Sequence, residues 1–152
     1  MKRLILAASR GDPDAQYNLG VMYDNRVDDH GNSVSPTDAN GYAVASNRAE
    51  AMKWLLRAAE QGLPRAQTRL AELYAEGPDT PLNYIKACKW FTVALTSLNG
   101  HHHQRAQTGY ARICALMMPA QIATATARAK SWQRKWRKSE AEPPSGILAA
   151  AT

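Results

Sequence analysis

The sequence predicts an all-α fold, a right-handed solenoid (α-α superhelix) of about seven helices stacked as antiparallel pairs. Its 152 residues include 27 alanines, whereas valine and isoleucine together number ten and phenylalanine occurs once. Alanine is the strongest helix former, and β-branched and aromatic residues are those that fill the faces of a sheet. An internal repeat predicts how the helices pair. A chain of this length is sufficient for one domain with one modest core.

The repeat begins at Gly11 and recurs at Gly62. The copies read GDPDAQYNLGVMY (11–23), GLPRAQTRLAELY (62–74) and, more weakly, RAQTGYARIC (105–114). Each copy reads as a helix with one face of small and apolar residues. The recurring positions of a second helical unit are Ala51, Trp54, Ala58 and then Ala87, Trp90, Ala94. A single helix pair cannot bury its apolar face, so we expect stacked pairs to share a continuous core.

Prolines and glycines set the expected helix ends. Proline is tolerated at the first helical residue, where its missing N–H would be unpaired anyway, so we expect helices to start near Pro13, Pro64, Pro81 and Pro119. Gly62 and Gly100 are expected to end the helices before them. Together these signals predict helices near residues 2–10, 12–25, 47–61, 63–76, 82–98, 103–116 and 119–138.

The predicted domain covers residues 1–138, and residues 139–152 are predicted to form a disordered tail because they contain two prolines and a glycine. A loop insertion is expected in residues 24–40, because the glycine turn of the first repeat comes about fifteen residues later than that of the second. Two interpretations of the insertion stay open. It is a tolerated surface loop, or it contacts a partner or a cation.

The motif Ala-x-x-x-Leu-Gly-x-x-Tyr, followed later by Ala-x-x-Trp-x-x-x-Ala, resembles the SEL-one-like repeat (SLR) of bacterial proteins, a branch of the tetratricopeptide superfamily. The resemblance covers roughly residues 4–136 and implies that the chain begins within the second helix of an earlier unit. It also implies a non-enzymatic protein–protein interaction module, an adaptor or regulatory scaffold. Such a module would bind a protein or peptide partner in its concave groove.

Tetratricopeptide-like units bind through the exposed face of each first helix, and the resemblance carries that face over by register. The implied partner-binding residues are Asp14, Tyr17 and Val21, then Arg65, Thr68 and Glu72, then Arg105, Thr108 and Arg112. Three arginines together with Tyr17 would suit an extended segment that carries acidic side chains.

The net charge of +6 lies in one segment, since the rest of the chain sums to zero. The segment holds Arg128, Lys130, Arg134, Lys135, Arg137 and Lys138 and no acid. The alternative function is therefore a basic C-terminal helix that binds nucleic acid or an acidic membrane, with Trp136 on an exposed face. The other interpretation is a solvated helix that caps the solenoid.

The sequence contains no GxSxG, glycine-rich phosphate loop, HExxH or paired CxxC motif, so we expect no catalytic, cofactor-binding or metal-binding residues. His101, His102 and His103 are successive and would point in different directions, which favours an interhelix turn. Cys88 and Cys114 are expected on neighbouring helices, with Cys114 as a buried small residue and not in a disulfide. An enzyme related to peptidoglycan or β-lactam recognition is the least supported alternative, because relatives with that association carry paired cysteines in each repeat.

The first helix is expected to expose Leu4, Ile5 and Ala8, an apolar face that a preceding helix would otherwise cover. This predicts a homodimer through the N-terminal helices. The longest apolar run has six residues, short of the ~20 of a membrane span and the ~7–15 of a signal peptide. The expected compartment is therefore the cytoplasm.

Overall fold

The computed structural model describes residues 2–24, 48–76, 81–97 and 100–141. Within these ranges it has seven α-helices and no strand. They are α1 (Lys2–Ser9), α2 (Pro13–Asp24), α3 (Arg48–Glu60), α4 (Pro64–Ala75), α5 (Pro81–Leu95), α6 (Gly100–Cys114) and α7 (Pro119–Ala141). The predicted all-α fold is confirmed.

The helices stack as the repeat predicts, except at the end. Helix α2 packs on α3 and α4 packs on α5, and further contacts join each pair to the next. Helices α6 and α7 both pack on α5 and make little direct contact with each other. The third pair is therefore held together through the second helix of the preceding pair.

Small residues allow the helices to approach closely. Within the described ranges, ten alanines have no solvent exposure, and they are Ala51, Ala58, Ala59, Ala66, Ala71, Ala87, Ala94, Ala106, Ala125 and Ala129. A Cβ atom added to Gly20 would lie 2.6 Å from Cγ of Leu55 and 3.3 Å from the carbonyl oxygen of Ala51. Helices α2 and α3 are thus as close at Gly20 as their backbones and Leu55 permit.

Glycine and proline set the turns. Gly11 and Gly62 follow α1 and α3 with φ angles of 98° and 89°, in the left-handed region that side chains disfavour. The helices that begin at a predicted proline are α2, α4, α5 and α7, at Pro13, Pro64, Pro81 and Pro119.

A buried glutamine side chain forms a hydrogen bond across each of these two turns, from the helix after the turn to the helix before it. Gln16 donates from Nε2 to the carbonyl oxygen of Ala8 over 3.0 Å, and Gln67 donates in the same way to Ala59 over 3.1 Å. Gln61 also donates to Oε1 of Gln16, at 2.8 Å. The carbonyls of Ala8 and Ala59 lie in the last turn of a helix, where no residue four positions on continues the helical ladder, and each also accepts from the N–H of the glycine in the turn.

Two predicted boundaries are wrong. Gly100 does not end a helix but is the first residue of α6, whereas α5 already ends at Leu95; glycine is tolerated at a helix start. Helix α7 continues through Ala141, so residues 139–141 belong to the helix and not to the tail. The helix can continue because residues 120–142 contain no glycine or proline. The remainder of the tail, residues 142–152, and the insertion beyond Asp24 lie outside the described residues.

The exposed face of α1 differs from the expectation. Ala8 is buried, with 1% exposure, in a cluster with Leu19 and Trp54, and Leu4 packs against the same cluster. Ile5 is exposed, as expected. Leu4 and Ala8 are less exposed than expected because α2, together with Trp54 of α3, covers one side of α1. The homodimer stays a prediction.

We expect Gly20→Ala to lower the free energy of unfolding by about 1–2 kcal/mol, because the added Cβ overlaps Leu55. An alanine in an open helix interior would instead raise it by about 0.5–1 kcal/mol. Urea titration followed by circular dichroism measures the difference. Asn18→Ala, at an exposed position of the same helix, is the control and should stay within about 0.5 kcal/mol of the wild type. A stabilising Gly20→Ala would contradict the packing argument.

Candidate interaction surface

The first helices α2, α4 and α6 are linked by ion pairs. At one end, Nη2 of Arg65 lies 2.9 Å from Oδ1 of Asp14, and its guanidinium lies 4.8 Å from the ring centre of Tyr17. Arg65 on α4 is therefore already occupied by two residues of α2, one acidic and one aromatic.

A second set of charges, the ion-pair network, consists of Asp24, Arg69, Glu72 and Arg105. Nε of Arg69 lies 3.4 Å from Oδ2 of Asp24, and both side chains are only 6% exposed. Nη1 of Arg69 also lies 3.7 Å from Oε2 of Glu72. Arg105 on α6 then donates to both carboxylate oxygens of Glu72, at 2.7 and 2.8 Å. Such a bidentate pair fixes orientation as well as charge, so the network sets how α2, α4 and α6 lie relative to one another.

The structure buries three of the nine sequence-predicted partner-binding residues. Tyr17, Val21 and Thr68 are 4%, 7% and 6% exposed, so the expectation that they lie on an exposed face is wrong. Tyr17 packs in the core under Arg65, and Thr68 donates its hydroxyl to the carbonyl of Pro64. Arg65 of α4 lies over the ring of Tyr17, and a register carried over from single helices does not include such contacts between helices.

A groove brings together four of the remaining residues, Glu72, Arg105, Thr108 and Arg112. It lies between α4 and α6, above α5, with a volume of about 470 Å³. Thr108 and Arg112 are exposed, whereas Asp14 and Arg65 lie at the other end of the first-helix layer.

The base of this groove was not predicted from the sequence. A Cβ on Gly109 would lie 2.5 Å from Cζ of Phe91, so the ring of Phe91 occupies the space that a larger residue would take. Ile113 also lines the groove. The repeat alignment contains a signal for this feature, because Gly109 occupies the position of Arg69 in the preceding copy.

Two thiols and a phenol meet between α5 and α6. Both cysteines are free, Cys88 buried and Cys114 half-buried, less deeply than predicted. Burial, and then the nearby Cys114 with its hydrogen bond, raise the pKa of the Cys88 thiol to about 12. A hydrogen bond with Cys114 is the first cause that raises the pKa of Tyr110, also to about 12. A thiol with such a pKa is protonated at neutral pH and is a poor nucleophile.

Three tryptophans meet on the opposite layer. Trp132 lies edge-on to Trp90, with ring centres 5.4 Å apart, and stacks on Trp136 at 6.0 Å. A Cβ on Gly62 would lie 2.6 Å from Trp136, so that ring rests on the α3–α4 turn. Trp136 is half-buried, and its predicted exposed position is corrected accordingly.

The basic side chains of α7 are exposed, and they are Arg128, Lys130, Arg134, Lys135, Arg137 and Lys138. His102 and His103 lie half-buried in the first turn of α6. Among the residues that the structure describes, no group of three or more His, Cys, Asp or Glu side chains is placed to hold a metal ion. In the same part of the chain, no helix is both long and apolar enough to span a bilayer.

Comparisons with known proteins identify the repeat. The Sel1 repeat profile matches residues 13–28, 39–63 and 64–95. Among solved structures, the chain is similar to a protective antigen present in uropathogenic Escherichia coli strains that displays an SLR fold, with 23% identity and a TM-score of 0.65. The alignment covers 93% of this chain but only 27% of that one, so the chain spans about a quarter of the antigen's length. No curated protein matches significantly.

Replacing Asp24 by alanine should lower the free energy of unfolding by about 3 kcal/mol, because the buried guanidinium of Arg69 loses a close anion. Asp14→Ala is the matched control. It removes an equal charge from the same helix, but its pair with Arg65 is largely exposed and should contribute less than about 1 kcal/mol. Urea unfolding measures both values, and equal losses would contradict the assignment of the buried pair.

Cys88 should resist alkylation by iodoacetamide in the folded chain at about pH 8, because its raised pKa leaves almost no thiolate. In urea the same thiol should react. Mass spectrometry of tryptic peptides measures the modification, and Cys88→Ser identifies the peptide. Rapid modification of Cys88 under native conditions would show that the thiol is not held in the core.

Proposed function

Since this chain is a Sel1-repeat protein, as its repeated motif predicts, we propose that it is a non-enzymatic adaptor or regulatory scaffold that binds an extended segment of a protein partner in the groove between α4 and α6. Sel1 repeats in general form protein–protein interaction scaffolds. The observation that carries the proposal is the groove of about 470 Å³ between two first helices.

One cation distinguishes this groove from the rest of the first-helix layer. Arg65 and Arg105 are engaged by Asp14 and Glu72. Arg112 is exposed and takes part in none of the ion pairs found among the described residues. A partner carboxylate can therefore pair with Arg112 without displacing an acid of the chain.

The apolar base of the groove supports a second element of recognition. Phe91 and Ile113 lie beneath a backbone that carries no side chain at Gly109. An apolar side chain of a partner would contact this base while its neighbour reaches Arg112. The proposed ligand is thus an extended segment with an apolar residue beside an aspartate or glutamate.

The same contacts change the expected role of the predicted arginines. Alanine at Arg105 removes a bidentate pair between α4 and α6, so it would alter the orientation of the groove as well as its charge. Arg112 provides the cleaner test because its replacement breaks no ion pair of the described chain. The absence of catalytic motifs from the sequence supports a scaffold over an enzyme.

We expect that random peptides of about twelve residues, selected by phage display on the wild-type chain, will be enriched in an apolar residue next to an acidic one. Arg112→Glu should weaken the binding of a selected peptide about tenfold or more, because a favourable charge contact becomes repulsive. Isothermal titration calorimetry with the synthetic peptide measures the affinity.

Arg57→Glu is the matched control, since it makes the same charge reversal at an exposed position of α3 on the other layer. It should change the affinity by less than about twofold. Selected peptides that bind wild type, Arg112→Glu and Arg57→Glu equally would contradict the proposed groove.

A further inference from the structure

Helix α5 adds cations to the basic face that the sequence places on α7 alone. Lys86 and Lys89 are three residues apart on α5, so they share one side of that helix. The ammonium of Lys86 lies 5.4 Å from the ring centre of Tyr74, and that of Lys89 lies 4.3 Å from the ring centre of Trp90. Since Trp90 contacts Trp132 of α7, Lys89 lies beside the packing of the two helices.

The cations of the two helices interact with one another. Burial is the main cause that lowers the pKa of Lys89. Glu60 acts in the opposite direction, and repulsion from Arg128, Lys135 and Lys86 lowers the pKa further. Lys89 is therefore close enough to three other cations to be repelled by each of them, with one acid, Glu60, near it. A polyanion bound at this face would relieve that repulsion.

The geometry of α7 suits a repeating anion. Arg128 and Lys135 are seven residues apart, which places them on the same side of the helix about 10 Å from each other. Both side chains are exposed. Together with Lys86 and Lys89 they make two short rows of positive charge on adjacent helices.

The apolar side of α7 is not available to lipid. Ala125 and Ala129 have no exposure, and Trp132 packs on Trp90. Stable binding of an amphipathic helix to a membrane requires an apolar face that enters the bilayer. The large hydrophobic side chains that are exposed in the described part of the chain are Ile5, Leu6, Leu56, Leu116 and Met118, none of which lies on α5 or α7.

We propose that Lys86, Lys89, Arg128 and Lys135 form a composite face that binds the phosphate backbone of nucleic acid without reading its bases. The four residues lie on α5 and α7, and none of them lines the groove between α4 and α6. Contacts of lysine and arginine with phosphates supply affinity that does not depend on sequence.

Fluorescence anisotropy with a fluorescein-labelled DNA duplex of about 20 base pairs tests the proposal on the full chain. Four phosphate contacts predict that the dissociation constant rises about 100-fold between about 50 and about 200 mM NaCl. A second duplex of unrelated sequence should bind within about twofold of the first. Absence of binding at the lower salt concentration would overturn the proposal.

Three double variants each remove two positive charges and thus change the net charge equally. K86Q/K89Q and R128Q/K135Q should each weaken binding about tenfold, whereas K2Q/R3Q, at exposed positions of α1, should stay within about twofold. Circular dichroism and thermal unfolding establish that each variant is folded. If K86Q/K89Q binds like K2Q/R3Q, the composite face is wrong. Binding to phosphatidylserine vesicles without binding to DNA would also overturn the proposal and identify a membrane as the ligand.

Discussion

Helices α2 and α3 come together at a position where the structure has no space for even one additional carbon atom. Gly20 meets Leu55 at that limit, and Gly109 meets Phe91 in the same way between α5 and α6. Alanines with no exposure recur along the described helices. Because the separation of the helices is fixed there, the positions of the residues on both outer surfaces follow from it. The bidentate pair between Glu72 and Arg105 joins α4 to α6 beside the groove.

Most of the charge on the first-helix layer holds the repeats together. The buried pair of Asp24 and Arg69 joins α2 to α4, and an isolated ion in that place would be costly to desolvate. The layer thus differs from a binding surface made of unengaged side chains. The recognition proposed above uses two features outside the network, Arg112 and the apolar base near Gly109. For this reason the nine partner-binding residues implied by the resemblance include some that hold the helices together and some that remain exposed.

Local signals in the sequence predict where the helices lie, but they do not predict which side chains remain on the surfaces. A proline marks the start of a helix through its effect on the first turn alone, and the spacing of small residues follows from the geometry of a single helix. Both signals can therefore be recognised in the sequence without knowing how the helices pack. Tyr17 is covered by Arg65 of α4, which lies some fifty residues away in the sequence. The proximity of Lys89 to Arg128 and Lys135 of α7 likewise depends on how α5 and α7 pack. Gln16 and Gln67 are aligned in the sequence, but their bonds to the preceding helix become evident only when the turn is folded.

The contact of Trp136 with Gly62 has a consequence for how the chain unfolds. In a solenoid in which each unit touches only its neighbours, the terminal unit can melt while the others persist, and hydrogen-exchange protection declines toward the ends. Here the final helix rests on the turn between α3 and α4 as well as on α5. Detaching α7 therefore exposes the turn that joins two earlier units. Unfolding of α7 is thereby linked to the middle repeat, whereas α1 packs chiefly on α2.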